Sequence, residues 1–171
     1  MPLSKKLLSM LGAKNIPHTI IEHKKVFTAF DLSATTAVPL ASVAKTLLVR
    51  AGKAVKLIVV SAAHVIDTAK LAKALKVPVV SFVKEKDMMK NFKVSKNGKL
   101  TSFGSLYTLP VLLDAAFAKQ KKALFSGGSL TQSIQMALKD FIKHESPTIA
   151  LVAALRKKLK KVPLKKLKKK R

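Results

Sequence analysis

The chain has no cysteine and no tryptophan. A disulfide frame, a thiolate nucleophile and a sulfur-ligated metal are therefore all excluded. Acidic residues are also scarce, with 8 Asp+Glu against 34 Lys+Arg and a net charge of +26 over 171 residues. No apolar stretch approaches the roughly 18 residues that span a bilayer. The segment Met1–Gly12 holds lysines and leucines but no sustained apolar block and no small-residue cleavage site. A cytoplasmic chain without a membrane partner is expected. Aromatics are few, eight Phe and one Tyr, and with no RNP-like motif the chain lacks the usual signature of base-stacking RNA recognition.

Catalytic signatures are missing too. The four histidines (His18, His23, His64 and His144) form no HExxH motif and no metal-spaced cluster, so each reads as a surface or turn residue. No serine sits in G-x-S-x-G, and there is neither a P-loop nor a G-x-G-x-x-G. These absences leave conventional triads, zinc hydrolysis and nucleotide-driven chemistry without support. No metal and no cofactor are expected.

What the chain does have is positive charge. A field of this size concentrates polyanions. Of the 34 basic residues 31 are lysines, which suit phosphate contacts better than the bidentate base reading of arginine. A lysine-biased composition is the competing explanation, but it does not account for the missing acids. Charge also marks a boundary. Residues 156–171 are basic at 11 of 16 positions, while residues 1–155 keep 23 basic against 8 acidic residues, a net +15. The expected organisation is one domain, 1–155, and a basic tail, 156–171. In the tail Lys157, Lys158, Lys160, Lys161, Lys165 and Lys166 are candidate phosphate contacts. Leu151, Leu155, Leu159 and Val162 predict a helical stripe that Pro163 interrupts.

Patterning predicts helices over Ser4–Leu11, Thr28–Thr36, Asp67–Leu75, Lys84–Asn91 and Ala137–His144. Strands are predicted at His18–Glu22, Pro110–Asp114, Ala123–Ser126 and Leu130–Gln135, with a short buried one at Val79–Val83. Thr46–Arg50 and Val55–Ser61, separated by Ala51-Gly52-Lys53-Ala54, predict a hairpin. Asn97-Gly98 is a turn signal. This irregular interleaving points to an α+β fold, a mixed, partly barrel-like sheet flanked by helices.

Two features can carry chemistry. Lys45, in Val43-Ala44-Lys45-Thr46-Leu47, is a single cation at the mouth of an apolar strand. It is either an edge lysine reaching to water or a shielded ammonium placed for a phosphate, a carbonyl or an oxyanion. Two glycine-bearing loops, Gly98–Gly104 and Ser126–Ser129, are either ordinary turns or backbone amides able to hold an anion.

The order of these features resembles the YbaK/ProX-type aminoacyl-tRNA editing domain, which occurs inserted in or standing beside prolyl-tRNA synthetases. The resemblance runs over residues 18–150. It is carried by Thr28-Ala29, Val38-Pro39-Leu40-Ala41-Ser42-Val43-Ala44-Lys45-Thr46-Leu47, Ser102-Phe103-Gly104, Leu109-Pro110-Val111 with Asp114, and Ser126-Gly127-Gly128. It implies hydrolysis of the ester of a mischarged tRNA, Cys-tRNA(Pro) or Ala-tRNA(Pro) among the candidates, without a metal. Transfer RNA is the implied substrate and prolyl-tRNA synthetase a candidate partner. Lys45 matches the family residue most tied to activity, with Gly98 and Ser102 in the pocket-shaping loop. His23, Thr28, Phe103, Gly104, Asp114, Gly127 and Gly128 are the implied substrate-side residues. Asp114 is open to two readings, an orienting carboxylate or a strand-end turn former. The family loop reads Gly-x-x-x-Pro, and Ser102 stands here in place of the proline. That departure supports an alternative, a catalytically inactive tRNA-binding or synthetase-associated protein of the same fold.

Overall fold

The computed structural model describes residues 4–92 and 100–155. The predicted Asn97-Gly98 turn and the basic tail lie outside the described residues. Five helices, α1 (Lys5–Ala13), α2 (Ala29–Thr36), α3 (Thr68–Ala74), α4 (Glu85–Phe92) and α5 (Leu138–Glu145), interleave with ten strands. The strands are β1 (Thr19–Glu22), β2 (Ala44–Ala51), β3 (Ala54–Ser61), β4 (His64–Ile66), β5 (Val80–Phe82), β6 (Val111–Asp114), β7 (Lys122–Ser126), β8 (Gln132–Ala137), β9 (Thr148–Ala150) and β10 (Ala153–Leu155). Local chemistry explains the clearest of them. Gly52 takes φ +60° in the tight β2–β3 turn, a conformation glycine adopts without steric cost. Thr28 and Asp31 close a reciprocal capping box at the start of α2. Asp67 accepts from Ala69 N–H and Lys70 N–H at the start of α3.

A five-stranded sheet runs β5-β2-β3-β6-β9, with β3, β6 and β9 parallel and the other pairs antiparallel. A three-stranded antiparallel sheet, β1-β8-β7, approaches it through one parallel bridge, Val43 to Leu124. Strands β4 and β10 form a separate pair. The mixed, helix-flanked architecture is as expected, and among the described residues the sheets do not close into a barrel.

Side chains alternate across β2, and the two faces meet different apolar groups. Ala44 and Leu48 join the main core with Leu57, Val59, Leu113 and Phe103. At the heart of that core Phe103, Phe125 and Phe141 pack with ring centroids 4.7–5.9 Å apart. The odd-numbered face meets two smaller clusters. Val43 packs with Val26, Leu32, Ala62 and Leu124 under α2, and Val49 packs with Ile58, Val60 and Leu71 under α3.

Three expectations are corrected. The strand near Val79–Val83 is not buried. As β5 it pairs only with the end of β2 at the sheet margin, leaving Val79 71% and Phe82 50% exposed. Leu151 and Leu155 do not share a helical stripe, because the chain there extends into β10 and pairs with β4. His144 is not a surface residue. Its side chain is 5% exposed, beside Phe103, with Nε2 3.3 Å from a Glu145 oxygen and 3.3 Å from Met10 Sδ.

Candidate functional site

Register lines up a row of polar side chains on the odd-numbered face of β2. Ile21 pairs with Ser133, and Ser133 pairs with Ser126. The parallel bridge from Val43 to Leu124 brings the start of β2 beside β7, two residues before Lys45 on one strand and two before Ser126 on the other. Alternation agrees. Ala123, Phe125, Ile134 and Met136 fill the main core, so Ser126 and Ser133 project from the opposite face, as Lys45 does. The face therefore carries Ser133 and Ser126, paired across β8 and β7, and Lys45 on the neighbouring strand β2. Lys45 is half-buried on the stretch of β2 between the Val43 and Val49 clusters.

His23 joins this row from the end of β1. Its Nδ1 lies 2.8 Å from the Lys24 carbonyl, which only accepts, so that nitrogen carries the proton. Nε2 is then free to accept from the Ser133 hydroxyl at 2.9 Å. Segment 23–26 is stitched to the β7–β8 loop by His23 N–H to the Thr131 carbonyl and Val26 N–H to the Leu130 carbonyl, both 2.9 Å. In that loop Gly128 has φ +79°, which favours glycine. Ser129 Oγ accepts from Thr131 N–H and Gln132 N–H at 3.1 Å. Gly127 is buried and its carbonyl accepts from Ser4 N–H. Thr28 caps α2, the helix that lies over this face. Lys45, His23, Thr28, Gly127 and Gly128 thus come from the elements that meet at one face.

Other expected residues lie elsewhere. Ser102 is fully buried and shares a 2.6 Å hydrogen bond with Thr46, the next residue along β2 and on the opposite face from Lys45. Phe103 is sealed in the aromatic core. Gly104 is required by packing, because a Cβ there would overlap the Leu109 carbonyl and the Val111 side chain. Asp114 lies one strand beyond Val60, about 10 Å from Lys45 by strand spacing, and both its oxygens are engaged. Oδ1 accepts from Val152 N–H and Ala153 N–H at 3.0 Å, and Oδ2 accepts from Ala116 N–H at 3.1 Å and Phe117 N–H at 3.2 Å. These four bonds fit the turn-forming reading. Gly98 lies outside the described residues. Ser133 was not legible in the sequence. Its signal was the alternation of Ser133 and Gln135 with apolar Ile134 and Met136, which marks a polar face without saying what it meets. Among the described residues no group of three His, Asp or Glu is placed to hold a metal, and no helix is long and apolar enough to cross a membrane.

The fold is shared with solved structures of low sequence identity. A protein described as a proposed trans-editing enzyme for prolyl-tRNA synthetase superposes with TM-score 0.74 at 16% identity, covering 90% of this chain and 99% of its own. The hypothetical protein APE2540 gives 0.78 at 14%, covering 88% and 100%. A scaffold from a study of epitope backbone grafting gives 0.78 at 15%, covering 90% and 98%. Among curated proteins nothing matches in sequence. The aminoacyl-tRNA editing domain family matches residues 23–144, which takes in β2, the β7–β8 loop and most of α5. The chain belongs to the aminoacyl-tRNA editing domain family.

Proposed function

We propose that the protein is a trans-editing deacylase that hydrolyses the ester of mischarged tRNA without a metal. The observation that carries this reading is Lys45, a half-buried cation between two apolar clusters on β2, beside the strand β7 that ends at Ser126 and runs into Gly127-Gly128. An aminoacyl ester is already activated, so positioned water and a stabilised oxyanion suffice. Water adds to the acyl carbon and gives up a proton, the acyl carbon–oxygen bond to the ribose breaks, and the departing ribose oxygen takes up a proton, leaving free amino acid and uncharged tRNA. Lys45 holds the carbonyl oxygen or the adjoining ribose-phosphate as negative charge develops. Backbone amides near Gly127 line the oxyanion side, and His23 and Thr28 border the mouth. A charge of +15 on residues 1–155 draws in the tRNA, and Lys157, Lys158, Lys160, Lys161, Lys165 and Lys166 add phosphate contacts. Cys-tRNA(Pro) and Ala-tRNA(Pro) are the proposed substrates, prolyl-tRNA synthetase the proposed partner and the cytoplasm the proposed location.

The inactive alternative drew on Ser102 in place of proline. Full burial and the bond to Thr46 hold this residue firmly without a ring, which favours the active reading. Incubation with a panel of mischarged tRNAs decides between them. Release of amino acid from at least one member is expected. Binding to all with release from none refutes the deacylase.

A further inference from the structure

Two of the few aromatic side chains are turned outward at the start of α2. Phe27 is 67% exposed and Phe30 is 48% exposed, while Phe103, Phe117, Phe125 and Phe141 are buried. Phe27 occupies the position before the N-cap, from which an apolar residue commonly packs back onto the first turn of its helix. Here Val26 takes the inward place beside Leu32, and Phe27 faces solvent. Lys25 lies over its ring, Nζ 5.2 Å from the centroid. The same short segment is hydrogen-bonded to the β7–β8 loop through His23 and Val26. An exposed ring with a cation beside it, on the rim of a polar site in a strongly basic chain, is the combination that stacks unpaired bases and tracks their phosphates.

We infer that Phe27, with Lys25 and Phe30 beside it, is a stacking platform for the unpaired 3′-terminal bases of the tRNA acceptor arm. This deepens the deacylase reading by naming how the single-stranded end is held at the site. Phe27 supplies a face that every base can use, so the platform grips the end without reading its sequence. Lys25 supplies the salt-dependent share of the binding.

The test uses the full chain and two uncharged RNA hairpins, one ending in an unpaired trinucleotide and one blunt. Wild type should prefer the overhang. Phe27→Ala and Phe27→Leu should each bind the overhang hairpin about five- to a hundredfold more weakly, the span of base–aromatic stacking, with an unchanged slope of log affinity against log salt. Phe27→Trp should restore it. Lys25→Ala should lower that slope by close to one unit. Phe82→Ala removes an exposed ring from the β5 margin and should bind as wild type does. The inference is overturned if Phe27→Ala keeps the overhang preference, or if Phe27→Leu matches wild type, which would mean apolar contact without stacking. A wild type that deacylates tRNA but shows no overhang preference refutes the platform alone. One that prefers the overhang yet releases no amino acid refutes the deacylase alone.

Discussion

Replacing Asp114 separates an orienting carboxylate from a structural one. The side chain is fully buried and accepts four backbone N–H groups at 3.0–3.2 Å, two on each oxygen. These bonds fasten the end of β6 to the turn at Ala116–Phe117 and to Val152–Ala153, where the chain enters β10. Each hydrogen bond to a charged acceptor is worth about 1.5–3 kcal/mol net, and an amide left without its partner costs about 1–3 kcal/mol. Asparagine keeps one carbonyl oxygen, which serves two of the donors, and turns an NH2 toward the other two. Asp114→Asn should therefore lose about 3–5 kcal/mol, since the set does not add linearly. That is a large part of the roughly 5–15 kcal/mol that holds a domain together. Urea titration with a shared m-value measures it, and deacylation per folded molecule is assayed beside it. The structural reading requires a lowered midpoint with near-normal activity in the folded fraction. Wild-type stability with lost deacylation would show that the carboxylate serves the substrate and that the backbone bonds were misjudged.

Three further outcomes follow from particular contacts. Gly104→Ala must push against the Leu109 carbonyl and the Val111 side chain, and a thermal melt should show a loss of about 1–3 kcal/mol or more, the usual cost of overpacking. Thr46→Val removes the 2.6 Å bond to buried Ser102 and should cost about 1–3 kcal/mol by urea titration, because the serine hydroxyl loses its partner. Burial lowers the His144 pKa below 6.5, opposed by Glu145 and assisted by Lys14. The unfolded chain therefore takes up that proton first as pH falls. Stability is intact above about pH 6.5 and declines below it, and His144→Gln should flatten that decline in urea midpoints compared at about pH 7.5 and about pH 5.

The legible parts of the fold were those with a local physical cause. The β2–β3 hairpin announced itself through Gly52 between two β-branched runs, and a helix was expected over Thr28–Thr36, where α2 stands. Strands β4, β9 and β10 are three residues each, too short to show alternation, and they exist because neighbouring backbone is there to pair with. Phe82 looked like core because apolar composition does not tell a central strand from a marginal one. The candidate site was legible as two fragments, Lys45 and Gly127-Gly128, and only the Val43–Leu124 bridge showed that their strands are neighbours. Parity already placed Lys45 and Thr46 on opposite faces of β2. Which of the two met Ser102 depended on the packing of Phe103 against Phe125 and Phe141, residues distant in sequence. Phe27 was hidden for a related reason, since solvent exposure of a phenylalanine has no sequence signature.

The central claim rests on Lys45, and single-turnover deacylation with protein in excess tests it most directly. Lys45→Ala, compared with wild type on a tRNA that wild type deacylates, should slow ester cleavage by about 10²–10³-fold, the usual cost of losing one stabilising donor at a developing oxyanion. Binding should stay within a few-fold and the melting temperature unchanged. Cleavage by the variant within about tenfold of wild type at saturation would show that this ammonium does not stabilise the transition state.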